Sequence, residues 1–215
     1  MTDSSWLGDG APWLASPHAF ATHVRARLAQ GEPRPAVGPS DYDLNGGVPP
    51  DPAGLKAAAV LIPVVARAQL MVLLTKRTAT LARHAGQIAF PGGRVDPDDA
   101  SAEAAALREA QEEIGLDPKL VTVLGALDTY RSGTGYAITP LIGLIDGVPS
   151  LTLSDGEVED AFEVPLPFLL APANLKVHSR VWQGAERQYY AIGFGERYIW
   201  GVTAGIIANM QKRLG

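Results

Sequence analysis

A short acidic helix behind a glycine turn constrains this chain more than any other segment. From Ala106 to Leu116 the sequence reads ALREAQEEIGL. Glu109, Glu112 and Glu113 stand at i, i+3 and i+4, so they share one helix face. Leu107, Ala110 and Ile114 fall on the other side, with the spacing of a core-packing stripe. Asp98 or Asp99 is the expected N-cap. Gly115, with Pro118 beyond it, is the expected stop. The expectation is a well-bounded helix with an apolar face on a core and a triply acidic face toward solvent.

Three carboxylates at this spacing repel each other, by about 0.2–0.5 kcal/mol per like-charge pair even in a solvated helix. Arg108 is the only cation within the stretch and is expected to point aside, so something else should neutralise the face. A bare E-x-x-E-E also suits a solvated acidic surface. The Pro91-Gly92-Gly93 turn ahead of the helix shifts the balance, because a tight glycine turn lets backbone approach a ligand. Oxygen ligands at this density suit a hard cation, Mg2+ or Mn2+. The chain contains no cysteine, which removes thiolate metal sites and cysteine nucleophiles together.

At this point the residues resemble the Nudix box, G-x5-E-x7-R-E-U-x-E-E-x-G-U with U aliphatic. Arg108 to Leu116 matches its second half, with Ala110 in the aliphatic slot. Two departures occur in the first half. Gly93 lies one residue further from Arg108 than the general pattern asks, and Asp99 takes the mid-box acidic position. Upstream, Leu73, Leu74, Thr75, Arg77, Arg83, His84, Gly86, Phe90, Pro91, Gly92 and Gly93 resemble the signature of the coenzyme A pyrophosphatase branch, which also carries the lengthened box with Asp. Trp200 to Ala204 resembles that branch's closing segment, and the resemblance covers roughly Ala57 to Leu214.

The resemblance implies an α/β fold, a Nudix-type α/β/α sandwich with a mixed β-sheet between helices. It implies metal-dependent hydrolysis of the pyrophosphate of coenzyme A or acyl-coenzyme A, giving 3′,5′-ADP and 4′-phosphopantetheine or its acyl form. Glu109 and Glu113 would be the main ligands of Mg2+ or Mn2+, and Glu112 a further ligand or a water-orienting group. Arg108 would brace the carboxylates, and Gly93 would offer a backbone carbonyl to the metal. Glu157, ahead of Val158, resembles the start of the family's later Glu-Val segment and is a candidate catalytic residue beside Arg108 and the three box glutamates.

Substrate charge must be met locally, because the chain itself carries a net charge of −5. Lys76, Arg77, Arg83 and Arg94 are candidates for phosphate contact, arginine being suited to bidentate grips. Lys76 and Arg94 are equally readable as solvated cations, whereas the signature favours substrate contact for Arg83. His84 is either a substrate contact or a hydrogen-bonder within its loop. The alternatives to the leading function are a Nudix hydrolase of another nucleoside diphosphate-linked compound such as ADP-ribose, or a non-catalytic metabolite-binding module. The repelling glutamates count against the module.

The rest of the chain bounds this reading. At 215 residues with 47% hydrophobic content, a substantial core is available. Residues 1–50 read as an N-terminal helix and an extended connection packed on a Nudix domain of 51–215. The helix spans Ser16 to Gln30, and 31–52 is the Pro-, Gly- and Asp-rich connection. Ala59–Ala66 and Leu70–Thr75 read as a strand hairpin, and Val121–Leu127 and Ile138–Ile145 as further strands. Pro165–Leu170 reads as a short helix, Val177–Trp182 and Gln188–Phe194 as a late hairpin about Gly184, and Thr203 as the cap of a last helix. Leu127–Pro140 reads either as a substrate-facing loop using Tyr130 and Tyr136, or as strand–turn–strand with core tyrosines. The first 15 residues lack the pattern of a signal peptide, and the apolar run Ala57–Ala66 is too short to span a bilayer. A cytoplasmic chain with no membrane or nucleic-acid partner is expected, the acidic pI near 5.3 opposing nucleic acid. A homodimer is compatible with the resemblance.

Overall fold

A computed structural model describes residues 11–30, 39–79, 86–182 and 184–215. Its central strand is β1 (Lys56–Ala66). Ala58, Ala59, Leu61, Ile62, Val64 and Val65 are all buried, which explains why this strand reads as a continuous apolar run rather than an alternating one. Along one edge β1 runs parallel to β7 (Tyr136–Ile145), from Lys56 opposite Tyr136 to Val65 opposite Ile145. The other edge is shared. Residues Ala58–Val60 pair with β4 (Gly92–Arg94), and Val64–Ala66 with β2 (Leu70–Arg77). Pro63 lies between the two partners. The Leu61 N–H reaches the Pro91 carbonyl at 2.9 Å. The next donor on that side would be residue 63, at the changeover, so its missing N–H costs no ladder bond.

Strand β2 also pairs with β3 (Ile88–Ala89) and, on its far edge, with β8 (Val158–Pro165). Strands β5 (Val121–Ala126) and β6 (Tyr130–Arg131) run antiparallel to β7, completing an eight-stranded mixed sheet. One face is covered by α2 (Ala102–Ile114), whose Ala105, Ala106, Ala110 and Ile114 pack with Ala59, Leu61, Leu73 and Leu141. The opposite face carries α1 (Pro17–Ala29), α3 (Leu166–Leu170) and α4 (Val202–Leu214). Phe20, Val24, Ile206, Ile207 and Met210 pack there on Ile62, Val64, Val72 and Leu74. The expected sandwich of helices about a mixed sheet is therefore present. A second sheet, β9 (Lys176–Trp182), β10 (Ala185–Phe194) and β11 (Arg197–Trp200), adds Ile192 and Ile199 to that second core.

The expected hairpins form, and Ser16 caps α1 by accepting the Ala19 N–H at 3.1 Å. Two caps differ. Helix α2 is capped by Ser101, which accepts the Ala104 N–H at 3.1 Å, because Asp99 already accepts the Asp96 N–H and faces Arg108. Helix α4 starts after Gly201, in a left-handed conformation with φ +63°. Thr203 sits inside its first turn and donates to the Ile88 carbonyl at 3.0 Å, tying α4 to β3. Strand β8 was hidden by its charges, Glu159, Asp160 and Glu163 along an edge strand. Residues 127–140 form strand–turn–strand. Tyr130 is a core residue whose hydroxyl donates to Asp41 Oδ1 at 2.7 Å.

The two terminal helices support each other. His23 Nε2 donates to the Leu214 carbonyl at 2.7 Å, and Arg27 Nε to the Arg213 carbonyl at 2.9 Å, satisfying carbonyls at the end of α4 that no later turn can reach. Among the described residues no helix is long and apolar enough to cross a membrane. Because Phe20 is fully buried beneath the sheet, Phe20→Ala should lower stability by about 3–5 kcal/mol. Urea unfolding checks this; an unchanged midpoint would mean that α1 contributes nothing to the core.

Candidate active site

The site begins where β4 is squeezed between β1 and α2. At Gly92, with φ +154°, a Cβ would collide with the Ala59 carbonyl and Val60. At Gly93 a Cβ would come within 2.5 Å of the Glu109 carboxylate. Glycine is thus required at position 92 by the close approach of β1 backbone, while a side chain at position 93 would have to turn the Glu109 carboxylate aside. The Gly92 N–H then donates to Glu113 Oε2 at 3.2 Å, which anchors the helix carboxylate to the turn.

The three glutamates do not form a uniform solvent-facing surface, contrary to the expectation from helix spacing. Glu113 is buried at 3% exposure. The Glu109 side chain is 18% exposed and that of Glu112 58%. The turn covers the end of the acidic face nearest the sheet, a tertiary effect that periodicity does not contain.

Neutralisation is also arranged differently from the expectation. Arg108 sits among the carboxylates instead of pointing aside. Its Nε and Nη2 donate to Asp99 Oδ1 and Oδ2, both at 3.0 Å, in a bidentate pair. Its Nη1 donates to Glu109 at 3.1 Å and Glu112 at 3.0 Å, and Nη2 also reaches the Arg94 carbonyl at 3.1 Å. Arg77, at the end of β2, places Nη1 3.3 Å from Glu113 Oε1.

These cations do not fully compensate burial. Loss of solvent is the main reason the Glu113 carboxyl is pushed up to about 7. The Gly92 N–H and Arg77 oppose the rise, while the charges of Glu109 and Glu157 add to it. Burial likewise raises Glu109 against the pull of Arg108, with Glu112 and Glu157 assisting. Asp99 is held below its ordinary value by its hydrogen bonds from Arg108, and Arg108 is raised in return, chiefly by Asp99. The centre is a half-buried set of oxygen donors short of positive charge, which suits a hard cation. With the carboxylates turned to Arg77 and Arg108, no three acidic or imidazole groups among the described residues stand together as a ready coordination shell.

The remaining candidates are dispersed. Glu157 is exposed at the start of β8, near enough for its charge to act on Glu109 and Glu113. Its carbonyl accepts the Thr78 N–H at 3.0 Å, which holds that corner beside β2. Lys76 pairs with Glu159 at 2.7 Å, away from the glutamates, and the Arg94 side chain is exposed. Arg83 and His84 lie outside the described residues. Sequence spacing did not reveal Asp99 as the anchor of Arg108, nor the Arg77–Glu113 contact. The first had a signal in the mid-box acidic position; the second spans 36 residues and had none.

Comparison with known proteins follows this geometry. The NUDIX domain model matches residues 55–180. The uncharacterized Nudix hydrolase NudL of Cronobacter sakazakii is 44% identical over 163 residues, covering 74% of this chain and 83% of the relative. NudL of Escherichia coli K12 is 42% identical over 160 residues, with coverage of 74% and 83%. Among solved structures, an Ap4A hydrolase binary complex from C. elegans is 21% identical, covering 52% of this chain and 81% of that one, with a TM-score of 0.44. The NUDIX domain of Shewanella oneidensis NrtR, complexed with ADP ribose, is 23% identical, covering 60% and 84%, with a TM-score of 0.44. The family match places the chain in the class of hydrolases that act on nucleoside diphosphate-linked compounds and generally use divalent metal ions. The chain belongs to the Nudix hydrolase family.

Two outcomes are expected of the site. Gly93→Ala should displace the Glu109 carboxylate and lower kcat about 100-fold with far less effect on unfolding; an unaltered rate would show that this close approach is dispensable. In metal-free protein Glu113 binds its proton more tightly when folded, so the fold takes up protons relative to the unfolded chain. Stability from this group is therefore present at low pH and declines as pH rises from about 4.5 to about 7. Urea titrations across that range should show the decline, and Glu113→Gln should remove it.

Proposed function

We propose that this chain hydrolyses the pyrophosphate bond of coenzyme A and its thioesters, releasing 3′,5′-ADP and 4′-phosphopantetheine or its acyl form. The observation that carries the reading is the segment from Leu73 to Gly93. There Arg77, Arg83, His84, Gly86, Phe90 and the Pro91-Gly92-Gly93 turn fit the coenzyme A branch signature together with the lengthened box. The site geometry supports a hydrolytic role for the same segment, since its glycine turn holds Glu113 and makes room for Glu109.

Mg2+ or Mn2+ would be held by Glu109 and Glu113, with Glu112 and the Gly93 carbonyl as further oxygen donors. The ion supplies charge neutralisation at the phosphate oxygens and a more acidic water. The protein's own contributions are distinct. Asp99 fixes the Arg108 guanidinium, which then holds Glu109 and Glu112 in place as a brace. Arg77, beside Glu113, balances one carboxylate and is a candidate for contact with a phosphate oxygen. Glu157 is exposed, its charge acts on Glu109 and Glu113, and it is the candidate to take a proton from the attacking water. Arg83 and His84 are the candidates for the phosphates of the nucleotide end.

Mass-spectrometric product analysis with coenzyme A, dephospho-coenzyme A and ADP-ribose, in Mg2+ or Mn2+, tests the reading. Fast conversion of coenzyme A to 3′,5′-ADP and phosphopantetheine is expected. Preference for ADP-ribose would keep the hydrolase and discard the substrate. No cleavage of any of the three by folded, metal-binding protein would favour another diphosphate or a binding module. In the same assay Glu113→Gln should reduce turnover by about 100-fold or more; a retained metal-dependent rate would remove Glu113 from the ligand set.

A further inference from the structure

A cleft of about 690 Å³ opens between the ends of β2 and β8 and the edge of β11. Ile88 and Phe194 give it apolar surface, Tyr198 and Trp200 form an aromatic wall, and Lys76 and Glu196 lie at its sides. It is separate from the carboxylates but close to them. Lys76 and Arg77 are neighbours on β2, the first turned to the cleft and the second to Glu113. Ile88 in the cleft is four residues from Gly92 in the site, a span of at most about 14 Å of extended chain. One diphosphate-linked molecule is long enough to occupy both.

The charges of the cleft decide what belongs in it. Lys76 is paired with Glu159 at 2.7 Å. Arg197 is paired with Asp160 at 2.8 Å and lies 3.5 Å over the Phe162 ring. Both cations are engaged, and Glu196 has no ion-pair partner among the described residues. Among the described residues the lining therefore carries a net negative charge, from Glu196. A phosphate monoester, bearing about −1.5 to −2 at neutral pH, would be repelled from it.

The aromatic wall is built rather than loose. The Tyr198 hydroxyl lies 2.9 Å from His178 Nδ1 and 3.3 Å from the Tyr189 hydroxyl, yet the residue remains 42% exposed. Trp200 is held edge-on by Tyr189 at 5.5 Å, with Arg180 over its ring at 4.9 Å. A fixed aromatic rim loses little freedom on binding, and a cleft in which polar and apolar surface are about equally shared suits an arm that alternates amides with methylenes.

We propose that this cleft binds the uncharged amide-and-thioester arm of the substrate, and that the phosphorylated nucleotide end lies elsewhere. The proposal rests on the coenzyme A reading and places the arm on the Lys76 side of the β2 terminus, the diphosphate lying toward Arg77 and Glu113. Tyr198 and Trp200 provide contact along the arm, and the engaged charges and Glu196 exclude the 3′-phosphate.

Amide NMR on the full-length 15N-labelled protein, titrated separately with 4′-phosphopantetheine and 3′,5′-ADP, tests the placement. Phosphopantetheine should shift the signals of Lys76 and of residues 195–200, and 3′,5′-ADP should leave them unmoved. Shifts there from 3′,5′-ADP, or from neither fragment, would overturn the placement. Tyr198→Ala should raise KM for coenzyme A about fivefold with a much smaller change in kcat, whereas an unchanged KM counts against the cleft. Glu196→Lys adds a cation at the rim. A selective fall in KM for coenzyme A over dephospho-coenzyme A would place the 3′-phosphate in the cleft and overturn the proposal. Failure of the wild-type protein to cleave coenzyme A would remove the substrate reading itself. Cleavage with an unresponsive cleft would remove only the assignment of the arm.

Discussion

Helix α2 approaches β4 so closely that no side chain fits between Gly93 and the Glu109 carboxylate. The rest of the site depends on that spacing. It draws Glu113 under the turn, where the Gly92 N–H meets it. It also removes most of the water from two neighbouring carboxylates. A side chain at Gly92 would strike the β1 backbone at Ala59 and Val60, and one at Gly93 would turn the Glu109 carboxylate aside. Ala105, Ala106 and Ala110 on the helix let it lie close on Ala59 and Leu61 of the sheet.

Charge balance follows from the same burial. Water is a good solvent for several carboxylates, and a half-buried pocket is a poor one. Arg108 relieves part of the repulsion, but it is itself held by Asp99, so its guanidinium is shared rather than freely available. Arg77 reaches only the Glu113 end. Burial, with the neighbouring carboxylates adding to it, raises the carboxyl groups of Glu109 and Glu113 against these cations. A centre left short of positive charge by its own fold is well prepared to favour a cation and, through it, an anionic substrate.

Local pattern made much of the architecture legible. The apolar run of β1, the two hairpins, and the α1 start at Ser16-Pro17 are written in short-range periodicity and turn chemistry, which survive folding unchanged. Glu109, Glu112 and Glu113 were legible as a group for the same reason. Elements whose pairing overrides their composition were not. Strand β8 is obscured in the sequence because Glu159, Asp160 and Glu163 fall within it, each paired with a distant cation, Lys76, Arg197 or Arg67. β3 and β4 are too short to show any period. Ser101 and Gly201 took the caps expected of Asp99 and Thr203, since those two side chains were claimed by Arg108 and by the Ile88 carbonyl. Such claims come from residues distant in the chain.

The sequence by itself determined the types and order of the donors: three glutamates at helical spacing, an arginine beside them, a glycine turn ahead, and no sulfur ligand. Covalent spacing within one helix and one turn is enough for that. Only the tertiary structure decided how unequal those glutamates are, with Glu113 buried and Glu112 in water. It alone brought Arg77 to Glu113, moved Lys76 to a separate cleft, and set Tyr198 and Trp200 at the edge of that cleft. Burial and long-range electrostatics depend on which surfaces meet when the sheet closes, and no local stretch of sequence holds that information.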